Sequence, residues 1–151
     1  MTNPRNKVFL ETSVIFAAVL SESGGARKLL HLGEAGVIQL MIGLNVLREC
    51  EEVVKRKCPD SLPRLAYLLE LSGLLVASEP GEGELLAAKA IVSYKPDAYV
   101  LAEATGADPD WFITHDKQHF LKKRVKIELP FQLGTPGDLL QTLADYFRQG
   151  G

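Results

Sequence analysis

With 151 residues the chain has room for one domain with a proper core and too little for two ordinary ones. A hydrophobic fraction of 46% and a charged fraction of 24% are those of a globular protein, and no apolar run reaches the roughly 20 residues that cross a bilayer. The net charge of −2 excludes a protein that grips nucleic acid by global charge alone, but leaves room for a local basic stripe.

In chain order, the polar stretch Met1 to Lys7 lacks the apolar core and cleavage site of a secretory signal. Cys50 and Cys58 make no disulfide framework, so the expectation is a cytoplasmic protein with reduced thiols. Val8, Phe9 and Leu10 form a continuous apolar run, which suits a strand buried on both faces. Thr12 to Val19 opens a helix that Gly24-Gly25 breaks, and Ala26 to Ala35 reads as a second helix stopped by Gly36. Val37 to Ile42 is a strand. From Asn45 to Arg56 the residues Val46, Leu47, Cys50, Val53 and Val54 fall on one helical stripe. Leu62 to Leu71 is a helix that tolerates Pro63 in its first turn, and Leu74 to Ala77 is a short strand. Glu79 to Gly83 has loop composition. Helices follow over Glu84 to Val92 and Asp97 to Thr105, the latter closed by Gly106. Trp111, Phe112 and Ile113 form a strand, and Val125 to Leu129 is read as another. Thr135-Pro136-Gly137-Asp138 is a helix start, with a capping threonine, a first-turn proline and an acid at the positive helix end.

Strands therefore alternate with helices throughout, the pattern of an α/β domain with a mainly parallel sheet covered on both faces. In such sheets ligands bind beyond the carboxyl ends of the strands. Glu11 follows the first strand and Asp116 the strand at Trp111, so both face one crevice if those strands are parallel neighbours. Asp97 begins a helix beside Pro96, a place that equally suits plain N-terminal capping. Glu49 lies about 40° outside the apolar stripe of its helix, where it can reach a cleft or pair with Lys57 or Arg56. A cluster of carboxylates without a cysteine or histidine ligand set suits a hard cation such as Mg²⁺ or Mn²⁺. Without a cation, like charges that close would force one pKa up.

These residues resemble the PIN-domain family, in particular single-domain prokaryotic members related to the toxins of toxin–antitoxin pairs. The resemblance is carried by Val8-Phe9-Leu10-Glu11-Thr12-Ser13-Val14-Ile15, by Glu49 within Val46 to Val53, by Asp97-Ala98-Tyr99-Val100-Leu101-Ala102-Glu103-Ala104, and by Ile113-Thr114-His115-Asp116-Lys117 followed by Phe120-Leu121. Order and spacing agree over residues 7 to 140, and the whole chain, 1–151, is read as a single PIN domain. The resemblance implies a three-layer α/β/α sandwich. It implies a ribonuclease that holds Mg²⁺ or Mn²⁺ on Glu11, Glu49, Asp97 and Asp116, with Thr12, Ser13 and Thr114 orienting the carboxylates. Expected partners are RNA, a small antitoxin and a second copy of the chain in a homodimer.

One residue departs from the pattern. The family has Asp where this chain has Glu11, whose extra methylene extends the carboxylate's reach by about 1.5 Å. The alternative to an active nuclease is accordingly a weak or inactive PIN-fold module that binds RNA or a protein. A metal-dependent phosphatase of another α/β family would need an Asp nucleophile after the first strand, which Glu11 is not. His115 and Lys117 flank Asp116 and are candidates to touch substrate phosphate. The basic segments Lys55-Arg56-Lys57 and Lys122 to Lys126 are candidates for backbone contacts, or else solvated faces. His115 and His119 are spaced i, i+4, but no further soft or nitrogen ligand lies nearby to complete a zinc site. Cys50 on the apolar stripe and Trp111 at the head of a strand read as packing residues.

Overall fold

The apolar run Val8-Phe9-Leu10 is the buried part of strand β1 (Asn6–Leu10), and all three residues are wholly inaccessible, as a strand covered on both faces requires. The computed structural model describes residues 6–116, 118–121 and 129–150. Among them, β1 is followed by helices α1 (Thr12–Leu20) and α2 (Gly25–Glu34), strand β2 (Ile38–Gly43) and helix α3 (Leu44–Lys57). A short 3-10 turn at Pro59–Ser61 leads into α4 (Leu62–Leu71), then come β3 (Leu75–Ala77), α5 (Glu82–Ile91) and α6 (Lys95–Ala107). Strands β4 (Trp111–Ile113) and β5 (Gln132–Gly134) and helix α7 (Pro136–Arg148) complete the order.

The five strands form one sheet in the order β3-β2-β1-β4-β5, and every neighbouring pair is parallel. Helix α1 packs against α2, α3 and α4, and α7 packs on α2, while α5 packs on α6. The chain moves outward from β1 through β2 to β3 and returns through α5 and α6 to β4, which gives the expected three layers. The strand order reverses at β1, so a crevice opens where β1 and β4 end side by side, with Leu10 in register with Ile113. The centre of the core is aromatic: Phe9 stacks on Phe112 at 5.6 Å between centroids, and Phe120 and Phe131 pack on Phe112 at 5.1 and 5.9 Å.

Local chemistry explains most element ends. Gly36 takes a φ of 77° just beyond α2, the left-handed stop expected of it. At α7 the expected cap is a full capping box. Thr135 Oγ1 accepts from the Asp138 amide at 3.1 Å, and Asp138 Oδ2 accepts from the Thr135 amide at 2.9 Å. Buried Arg27 donates to the Ala18 carbonyl at 2.8 Å and so satisfies the C-terminal end of α1.

Two expectations change, and a third lies mostly outside the described residues. Helix α5 starts at Glu82, inside the stretch read as loop, because Glu82 and Glu84 complement its positive end. Gly106 lies within α6, and the chain turns instead at Asp108, with φ 54°. The strand read at Val125 to Leu129 falls on residues 125–128, outside the described set, and Leu129 is not in a strand. The partner of β4 is Gln132–Gly134, too short and polar to announce itself and held by its ladder. No helix among the described residues is long and apolar enough to cross a membrane.

Candidate metal centre and active site

Where β1 ends, the Glu11 amide donates to the Ile113 carbonyl at 3.0 Å, so the β1–β4 ladder runs one residue beyond the strand. Glu11 is also the N-cap of α1. Its longer side chain folds back onto its own helix: Oε2 accepts from the Ser13 amide at 3.1 Å. Oε1 accepts from the Ser13 hydroxyl at 2.5 Å and the Thr114 hydroxyl at 2.6 Å. Those hydroxyls in turn accept from the chain after β4. The His115 amide donates to Ser13 Oγ at 2.9 Å, and the Asp116 amide donates to Thr114 Oγ1 at 2.9 Å. One carboxylate thus ties the end of β1 to the end of β4 through two hydroxyls, with residues about a hundred positions apart in the chain.

Asp116 opens a tight turn. Its Oδ1 accepts from the His119 amide at 3.0 Å, and its Oδ2 lies 2.9 Å from His119 Nδ1. Asp97 sits in the first turn of α6, with its Oδ2 3.5 Å from the same ring nitrogen. The ligand atoms of Asp97, Asp116 and His119 all lie within 4.8 Å of one another. Tyr94, at the N-cap of α6, stacks on the His119 ring with centroids 5.6 Å apart. Burial acts to raise the Asp116 carboxyl, but hydrogen bonds from the His119 amide and ring, and the ring's charge, outweigh it and hold the group below its ordinary value.

Glu49 comes from α3, at the solvent rim of the same cleft. Its carboxyl is pushed above the ordinary range, first by partial burial and then by the negative charges of Glu11 and, more weakly, Asp97. Of the four acids picked out by position in the sequence, Asp97 and Asp116 meet at His119, Glu11 is tied to the Asp116 turn through Thr114, and Glu49 stands in the field of Glu11 and Asp97, with Glu11 and Glu49 outside the close cluster of Asp97, Asp116 and His119. Beside Glu49 a groove of about 460 Å³ runs between Asn45, Arg48 and Arg56 of α3 and Pro96. A larger hollow, about 540 Å³, lies between α3 and α4 around Leu62, Leu65 and Leu69. Of the four acids only Glu49 lines the smaller groove, which also reaches Pro96 next to Asp97, and the larger hollow is lined by none of them.

A hard cation fits this donor set. The donors are carboxylate oxygens joined by one imidazole, and Asp97, Asp116 and His119 offer ligand atoms within 4.8 Å of one another. Spacing alone pairs His119 with His115 on a helix face and so misses its place in the site. The segment forms a turn instead, which separates the histidines and directs His119 to Asp116 at i, i+3. His115 is exposed and joins the network through its backbone, while Lys117 and Lys122 to Lys126 lie outside the described residues.

Cys50 is no nucleophile. Burial pushes its thiol up to about 12, so it stays protonated at neutral pH. Cys58 is half-buried. An aromatic disulfide reagent at pH 8 is expected to titrate one thiol per native chain and both after denaturation. Two fast thiols in the native protein would contradict this packing.

Residues 7–118 match the family model described as PIN domain. In three dimensions the chain is similar to VapBC2 from Rickettsia felis, solved bound to a DNA fragment from their promoter, with a TM-score of 0.63 and 16% identity. The match covers 84% of this chain and 96% of the other, a likeness of fold. No curated protein matches the chain in sequence.

Proposed function

The chain belongs to the PIN-domain family, and on that premise we propose that it is an endoribonuclease that works with Mg²⁺ or Mn²⁺ and hydrolyses RNA phosphodiester bonds. The observation that supports the reading is the cluster of Asp97, Asp116 and His119, with ligand atoms within 4.8 Å of one another, beside the end of β1 where Glu11 stands. When bound, a divalent cation supplies a water acidified toward neutral pH and positive charge at the reacting phosphate. The four acids would hold it. Thr114 and Ser13 donate to Glu11 and fix its carboxylate, and His119 orients Asp116 and Asp97. Arg48 and Arg56, in the groove beside Glu49, would take the phosphate backbone of the strand, and His115 and Lys117 are further candidates to contact it.

The proposal extends to partners. The Rickettsia felis relative is a two-component assembly, and a small antitoxin that blocks the cleft, together with a homodimer, is the corresponding expectation here. Isothermal calorimetry of the purified protein is expected to show Mn²⁺ binding, and RNA cleavage is expected to stop in EDTA. Absence of both Mn²⁺ and Mg²⁺ binding would sink the reading.

One observation favours a second reading, a catalytically weak module that binds RNA or a protein. Oε1 of Glu11 is already engaged by two hydroxyls, which leaves it less free as a ligand. A silent wild type that gains cleavage on Glu11→Asp would decide for it.

A further inference from the structure

Glu103 is a charged residue the proposed chemistry does not use, yet it is only 1% exposed. It lies on α6, less than two helical turns after Asp97. Its carboxylate rests against the start of α3, where Oε2 accepts from the Asn45 amide at 3.0 Å; burial pushes the carboxyl above its ordinary value, and the Asn45 and Val46 amides work against that shift. Helix α3 has no capping side chain of its own, because Gly43 precedes it. That glycine is not required by backbone conformation: its φ of −81° and ψ of 157° suit any residue. It is required by space, since a Cβ there would lie 2.2 Å from the Glu103 carboxyl carbon. The glycine and the glutamate are thus two halves of one device. A buried carboxylate is costly unless hydrogen-bonded, and the Asn45 amide at the N-terminus of α3 supplies one such bond.

We propose that Glu103 is a positioning residue: it caps α3 from α6 and thereby sets Glu49 against Asp97. The inference rests on the metal-centre reading above. Asn45 and Glu49 are about one turn apart on α3, and Asp97 and Glu103 share α6, so the contact joins the two acid-bearing helices directly behind the site. A rigid helix passes any shift of its first turn to Glu49 undiminished, and small misplacements of a metal ligand are poorly tolerated.

The test is Mn²⁺ affinity by calorimetry on wild type, Glu103→Gln, Glu103→Ala, Glu49→Gln and the double variant Glu49→Gln/Glu103→Ala, with thermal melts alongside. Glu103→Gln keeps an acceptor for the Asn45 amide and is expected to bind within about threefold of wild type. Glu103→Ala is expected to lose about tenfold, the lower range for removing a residue that supports a ligand. With Glu49 already replaced, the further change at Glu103 is expected to cost no more than about twofold, because its effect runs through Glu49. A general loosening of the fold would weaken binding equally in both backgrounds. That result, or no loss in Glu103→Ala, overturns the proposal. If Glu103→Ala fails to fold, Glu103→Leu fills the volume without accepting a hydrogen bond and is judged by the same outcomes. A wild type that binds no Mn²⁺ overturns the metal reading itself, and is told apart because it needs no variant.

Discussion

Asp116→Asn is expected to lower metal-dependent RNA cleavage by on the order of 10²–10³-fold, the scale of losing one group that stabilises charge at a reacting centre. The substitution is close to neutral for the fold. Asparagine keeps the oxygen that accepts from the His119 amide, and the Asp116 amide still reaches Thr114. What disappears is the negative charge that, with Asp97, would hold the cation. The melting temperature should stay within a few degrees near neutral pH, while calorimetry should show weakened Mn²⁺ binding. The native Asp116 carboxyl lies below its ordinary value of 3.8, after its hydrogen bonds with His119 overcome the effect of burial. Its contribution to stability is therefore present above that value and lost as the pH falls through the lower native one. The asparagine variant should lack this acid-side loss in pH-dependent melts. Equal cleavage by wild type and variant would mean that the activity belongs to a contaminant.

Glu11→Ala is expected to damage both stability and activity. The carboxylate caps α1 and is the shared acceptor of the Ser13 and Thr114 hydroxyls. Removing a cap costs about 1 kcal/mol, and since the Ser13 and Thr114 hydroxyls, 3.4 Å apart, can satisfy only one donor between them, the other adds a further cost of about 1 kcal/mol. The chain after β4 should loosen too, since Ser13 and Thr114 hold the His115 and Asp116 amides. Thermal melts and hydrogen exchange at residues 114–116 would measure this. Cleavage should fall by at least about 10²-fold, as for loss of another preorganised group at the reacting centre. Glu11→Asp, by contrast, retains a residue type well suited to an N-cap and should recover most of the stability. A melting temperature for Glu11→Ala equal to wild type would contradict the network.

The folded-back geometry also changes what the extra methylene means. Read along the chain, Glu11 is a ligand that reaches too far by about one bond length. In the structure its side chain curls onto the Ser13 amide, so the added length is taken up in the cap rather than projected into the cleft.

Much of the architecture is legible in local chemistry. Apolar runs mark β1 and β4, helical stripes mark α3 and α7, and a threonine, proline and aspartate mark the start of α7, because each signal acts within one element. β5 is not legible: Gln132, Leu133 and Gly134 have no strand character, and the exposed ladder edge of β4 makes them one. His119 and Glu103 are not legible as parts of a site for a related reason. A histidine in a turn and a glutamate on a helix look solvated until the neighbouring element is known.

The sequence by itself determined the kinds and order of every element but β5 and set Glu11 and Asp116 directly after strands, since periodicity and turn residues are local properties. Only the tertiary structure decided that β1 lies beside β4, that Ser13 and Thr114 meet on one carboxylate, and that Gly43 makes room for Glu103. Those contacts join residues 58 to 103 positions apart. Their energy comes from packing and from satisfying buried polar groups, which no window of sequence contains.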